Sequence, residues 1–167
     1  MLRDHLATMA RYDLWATTRL LDACDALDDD AYRRDTGLFF KSVHRTLNHL
    51  LVAGGLIWWP RFADGVSPRL ALDAEVETDR ARLRQRLLDA SRAWAPFIAG
   101  LDESRLAGRL DYQRLDGTPV SLPFAATLGH VFNHGTHHRG QVSAALTVLG
   151  RPAPVLDLVP MLMEAEA

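Results

Sequence analysis

Apolar residues recur at steps of three and four through most of the chain, the spacing of helices that bury one stripe. The first such stretch predicts a helix from Leu2 to Leu27, with Leu6, Met9, Ala10, Leu20, Cys24 and Leu27 on its stripe. Asp13 and Thr17 fall on the same stripe. A polar side chain on an inward face needs a partner, so both are expected to bond to another helix. Asp28-Asp29-Asp30 closes this helix, and a loop is expected to about Phe40. A second helix, Ser42 to Trp59, carries Leu47, Leu50, Leu51 and Trp58 and halts near Pro60. Gly54-Gly55 lies in its middle. Two interior glycines cost roughly 2 kcal/mol relative to alanine, so they imply close helix packing or space for something bulky.

A third helix is predicted from Ala74 to Leu101, with Val76, Leu83, Leu87, Ala90, Trp94, Phe97 and Ile98 inward. Arg82, Arg84, Arg86 and Arg92 read as a solvated face, with Asp79–Arg82 and Arg86–Asp89 as surface pairs. Between Gly108 and Pro123 the period changes to two. Leu110, Tyr112, Val120 and Leu122 alternate with polar neighbours around the tight-turn pair Asp116-Gly117, which predicts a β-hairpin. A fourth helix runs from Phe124 to Gly150, a suitable terminating glycine, and a short helix follows from about Leu156 to Met163. Four long amphipathic helices with short links predict an all-α four-helix bundle, with the hairpin before the last long helix and one domain over residues 1–167.

The fourth helix also carries the chemistry. Of the seven histidines, four stand in the segment His130 to His138: His130, His134, His137 and His138. At about 100° per residue, these four and Gln141 occupy one face about 100° wide, bordering the apolar stripe. Imidazoles four residues apart stack one turn apart and can share a metal ion. A third ligand must come from another element. His49, amid Leu50 and Leu51, is the leading candidate, with His44 and His5 behind it. His130 and His137 are read as hydrogen-bonding neighbours of the site. Three neutral imidazoles would leave a coordination position open, the mark of a catalytic centre. Zinc, nickel, iron or manganese would all suit such ligands.

Composition narrows the rest. With 48% hydrophobic and 24% charged residues, 167 residues can bury a proper core. A net charge of -2 excludes the electrostatic footprint of a nucleic-acid binder. The single cysteine, Cys24, excludes an internal disulfide and a thiolate zinc cage, and reads as a small core residue. No run approaches the roughly 18 apolar residues of a membrane span, and the opening segment Met1-Leu-Arg-Asp-His lacks a secretory apolar block. No membrane partner and a cytoplasmic location are therefore expected.

The segment Asn133-His134-Gly-Thr-His137-His138-Arg139-Gly140-Gln141-Val142 resembles the hallmark of the DinB/YfiT-like superfamily. Three further segments agree in order: Tyr12-Asp-Leu-Trp15-Ala16-Thr17, Leu47-Asn48-His49-Leu50 with Ile57-Trp58, and Asp157-Leu158. The resemblance implies a metal site between the second and fourth helices, ligated by His49, His134 and His138. It also implies a homodimer, for which Trp59 and Phe62 offer aromatic surface. A small-molecule substrate is expected, acted on by a thiol-dependent transferase that uses a low-molecular-weight thiol, or by a hydrolase. The alternative is a non-catalytic, stress-induced metal binder or assembly module. Arg139 or a neighbouring arginine could hold a carboxylate of the thiol. Where relatives often have an acidic residue after the second-helix alanine, this chain has Gly54. The groups left to orient the ligands are Asn48, His130, Asn133, His137 and Gln141.

Overall fold

A computed structural model describes residues 1–166. Helix α1 (Leu2–Cys24) is followed by a single-turn helix α2 (Asp29–Arg33). Helix α3 (Val43–Leu50) continues through a π-helical stretch (Leu51–Trp58) into α4 (Trp59–Ala63). Helix α5 (Arg80–Ala99) and the short α6 (Glu103–Ala107) precede strands β1 (Arg109–Gln113) and β2 (Pro119–Pro123). Helix α7 (Phe124–Val148) and the short α8 (Leu158–Glu166) complete the chain. The long elements form a four-helix bundle. Helix α1 packs on α5 and α7, and the α3–π–α4 rod packs on the same two helices from the other side. The first and second rods therefore lie diagonally, and the second meets the fourth along the line where their histidines fall.

The β-hairpin holds the predicted alternation, pairing Leu110 with Leu122 and Tyr112 with Val120. Gly117 closes its turn at φ 86°, a conformation glycine adopts without steric cost. Gly150 likewise terminates α7 at φ 71°, and the Arg151 amide donates back to the Leu146 carbonyl at 2.9 Å. Helix α1 ends sooner than Leu27 because Arg80 donates to the carbonyls of both Cys24 and Leu27, fixing the chain's exit.

The third helix starts at Arg80 rather than Ala74. Asp79 caps it, accepting from the Arg82 amide at 2.8 Å. Residues before Asp79 stay extended because Asn48 bonds the Glu77 backbone at both ends, its Oδ1 accepting at 2.9 Å and its Nδ2 donating at 3.0 Å. Local helix propensity yields to this tertiary pair. The arginine face is also more engaged than expected. Arg84 reaches Asp22 on α1 at 2.6 Å and Asp25, just past its end, at 3.2 Å. Arg86 approaches Glu77 at 3.6 Å instead of Asp89, which pairs with Arg92 at 2.9 Å.

Of the two interior glycines, Gly55 has a packing reason: a Cβ there would meet Ala90 Cβ at 3.0 Å. Gly54 has open space beside it. Trp59 and Phe62 do not make a free aromatic face. Phe62 is buried, with edge contacts to Trp94 at 5.8 Å and Phe124 at 5.0 Å, and Trp59 packs on Trp94 and Phe97. Among the described residues no helix is long and apolar enough to cross a membrane.

Two large apolar clusters fill most of the interior, with a small third one at Tyr12, Ala16 and Met161. Of the large ones, one centres on Leu20, Leu47, Leu83 and Leu146, the other on Trp94, Phe124, Leu128 and Phe132. Between them runs a polar layer. Arg139, 2% exposed, pairs with Asp13, reaches Thr17 Oγ1 at 3.3 Å, and shares Asp13 with the Ser91 hydroxyl, which donates at 2.7 Å. The expected partners of Asp13 and Thr17 are thus supplied by one buried guanidinium. That placement removes Arg139 as a binder of a thiol's carboxylate. Removing one member of a buried pair strands the other in low dielectric, at a typical loss of about 3–5 kcal/mol. Asp13→Asn should lose about that much in urea denaturation, and the double change Asp13→Leu/Arg139→Met should recover most of it. A loss below about 1 kcal/mol for Asp13→Asn would contradict the role given to this layer.

Candidate metal centre

His134 and His138 stand one turn apart on α7, and His49 faces them from the end of α3. The three Nε2 atoms form a nearly equilateral triangle. His49 lies 3.3 Å from His134 and 3.1 Å from His138, and His134 and His138 are 3.1 Å apart. Bonds of ~2.1 Å to a common ion at mutual angles of about 100° span ~3.2 Å. The triangle therefore has the size that a shared first-row divalent cation requires.

The far side of two rings is tied down. His49 Nδ1 donates to the Leu72 carbonyl at 2.7 Å. His138 Nδ1 donates to Gln141 Oε1 at 2.8 Å, and the same amide donates from Nε2 to His137 Nε2 at 3.2 Å. A neutral imidazole with its hydrogen on Nδ1 carries a lone pair on Nε2. His49 and His138 thus turn two lone pairs toward one another with no hydrogen between them. That arrangement is repulsive unless a cation fills the angle. Protonation is opposed by the surroundings. Burial, then the neighbouring His138 and His49, pull the His134 pKa down to about 3. Burial brings His138 down to about 4 against the Gln141 hydrogen bond, and burial also lowers His49. The three rings are neutral at neutral pH, the form that binds metal.

The other predicted site residues divide. Gln141 and, through it, His137 orient His138. Asn48 touches no ligand ring; it acts at one remove, clamping Glu77 and so the segment whose Leu72 carbonyl holds His49. His130 is exposed, 5.7 Å ring to ring from His134 and 5.3 Å from Trp58. Asn133, although next to His134 in the chain, lines a different groove, between α1 and α7 beside Met9 and Tyr12. His44 is occupied by Glu75, 2.9 Å away, and His5 lines the same groove as Asn133.

His49 and His134 open onto a cleft of about 600 Å³ between the π-helical stretch and the hairpin, walled by Ala53, Ile57, Trp58 and Leu122. Phe40 seals the other side of His49, stacking at 4.0 Å and 18°. Neither Phe40 nor the Leu72 carbonyl carried a signal in the sequence, since one is an apolar loop residue and the other a backbone atom. Arg61, also in the cleft wall, had one: a lone charge within Trp58-Trp59-Pro60-Arg61-Phe62.

Two outcomes follow from this geometry. In metal-free protein, the unfolded chain takes up protons near pH 6.5, while folded His134 and His138 resist until about 3 and about 4. The unfolded state then binds more protons, so stability falls as pH drops through that window. The melting temperature should decline between about pH 7 and about pH 5, with a shallower decline in His134→Gln. Equal slopes in the two proteins would contradict the assignment. Separately, Gln141→Leu frees the His138 ring and should weaken zinc binding roughly 10–100-fold in competition titrations, with His137→Ala weaker in effect. The reverse ranking would mean that His137 has the larger part.

The family model described as the DinB family matches residues 1–166. The Protein DinB of Bacillus subtilis (strain 168) is 23% identical over 163 residues, covering 93% of this chain and 92% of that protein. Among solved structures, YfiT from Bacillus subtilis superposes with a TM-score of 0.71 at 14% identity, over 88% of this chain and 89% of that one. It is described as a probable metal-dependent hydrolase with an unusual four-helix bundle topology. A DinB-like protein from Bacillus cereus gives a TM-score of 0.59 at 19% identity, over 84% and 89%. The structural likenesses establish the shared bundle. Matched to the family pattern over residues 1–166, the chain belongs to the DinB family.

Proposed function

We propose that this protein is a metal-dependent hydrolase in which His49, His134 and His138 hold a divalent cation at the inner end of the cleft. The reading rests above all on the triangle of Nε2 atoms, 3.1 to 3.3 Å apart, open toward a cavity of about 600 Å³. A cation there would keep its full charge, acidify a bound water and polarise a substrate carbonyl. The hydrolase reading agrees with the description carried by YfiT.

The chain's own residues supply the remainder. Leu72 and Gln141 fix the two tethered rings, so little reorganisation accompanies binding. Phe40 stacks on the His49 ring and covers one of its faces. His130, next to His134 and exposed, is placed to carry a proton between the cleft and solvent. Trp58, Ile57 and Leu122 give the substrate an apolar bed. A low-molecular-weight thiol in place of water would make the same centre a transferase.

The test uses protein purified without a nickel column. About one equivalent of zinc, nickel, iron or manganese should co-purify, and His134→Ala should remove it. Ester and amide hydrolysis should vanish on chelation and return with metal. Turnover that appears only with an added thiol would replace hydrolase by transferase. Stoichiometric metal with no turnover under either condition would make the protein a binder, and hydrolysis surviving chelation would refute the mechanism.

A further inference from the structure

Arg61 is a buried cation with no anion. It is 6% exposed. Its guanidinium lies between two rings, 4.7 Å from the Trp58 centre and 4.3 Å from that of Tyr112. One hydrogen bond, from Nη2 to the Gln113 carbonyl at 3.0 Å, holds it, and its Nε is buried without a partner. A guanidinium has five N–H donors, so four are left over. Among the described residues no carboxylate lies within ion-pair distance. The one carboxylate beside it in the cleft, Asp116, is turned into its own loop, accepting from the Thr118 amide at 2.9 Å. Arg114 adds a second positive charge at the exposed rim.

An unpaired buried charge is costly to keep, and here it is kept in the wall of the histidine cleft. The π-helical stretch is what places it there. In an α-helix, a step of four overshoots one turn by about 40°, so three steps would carry residue 61 about 120° from the face of residue 49. The wider turns of Leu51–Trp58, where the Trp59 amide donates to the Gly54 carbonyl, rotate less per residue. His49, Ala53, Ile57 and Arg61 consequently line one cleft. Side chains lean toward a helix N-terminus, and Arg61 accordingly lies over the Trp58 ring one turn before it. Trp58 touches both Arg61 and His130, with the guanidinium 4.7 Å from its ring and the imidazole 5.3 Å ring to ring, and all three line the cleft.

We propose that Arg61 binds the carboxylate of the substrate, and that the substrate class is an organic acid whose apolar body lies along Ile57 and Trp58 toward the histidines. The chemistry fits: guanidinium takes carboxylate through paired hydrogen bonds and is suited to sites between aromatic faces. This deepens the hydrolase reading and rests on it only for what happens at the far end of the ligand.

The experiment is a titration of metal-free protein, followed by the Trp58 indole resonance in NMR, with 3-phenylpropionate, its neutral amide and inorganic phosphate. The acid should bind with a Kd on the order of 1 mM for a probe this small, and the amide at least tenfold more weakly. Arg61→Gln should lower affinity for the acid to that of the amide, while Arg61→Lys keeps part of it. The comparison of acid with amide uses the unaltered protein, so it stands even if Arg61→Gln fails to fold. Equal binding of acid and amide, no binding of either, or phosphate binding as tightly as the acid would overturn the proposal. Zinc uptake by Arg61→Gln is read in parallel. Normal uptake with lost acid binding separates this site from the metal centre, and failure of metal binding in all variants would count against the hydrolase reading alone.

Discussion

Two imidazoles from one helix and a third from another bring their Nε2 atoms to the same point, and the repulsion between the lone pairs of His49 and His138 is the constraint around which this site is organised. Left free, the rings would rotate apart. Two of them are held from behind: His49 by the Leu72 carbonyl and His138 by the Gln141 amide. Burial completes the effect by keeping the rings neutral. Convergence of the neutral His49 and His138 rings with no hydrogen between them is unfavourable alone and favourable around a cation.

The bundle can be read as the frame for that convergence. Its diagonal arrangement puts the second rod against the fourth. The Asp13–Arg139 layer crosses the interior next to Gly135, one residue beyond His134, where a side-chain Cβ would press on both partners at 3.0 Å. A histidine turn, a glycine and an arginine in sequence thus serve three ends: ligation, close approach and a buried ion pair. The π-helical stretch adds the fourth. It turns one helix into a wall that carries the His49 ring at one end and an uncompensated guanidinium at the other.

Much of this was legible in the chain, for identifiable reasons. Periodicity of apolar residues predicted the four long helices, and the change of period at Leu110 predicted the hairpin. The i, i+4 histidines predicted one half of the triad, because helical spacing alone brings them together. His49 needed the further premise that a histidine within an apolar run has a task. Long-range hydrogen bonds were out of reach. Asn48 holding Glu77 shortened the third helix, and no local signal announces it. The π-helical stretch was equally hidden, although Gly54-Gly55 marked the place. Arg139 is expected from the sequence to hold a carboxylate of a thiol, yet it faces Asp13 across the interior, a partner that its place on the helix does not announce.

The central claim is that a cation belongs at the junction of three rings. An anomalous-difference map from crystals grown with zinc, with data on both sides of the zinc absorption edge, addresses it directly. The account predicts one strong peak within about 2.3 Å of the Nε2 atoms of His49, His134 and His138. A map with no peak there, or with the zinc bound instead by His130 and His137 at the surface, would contradict it.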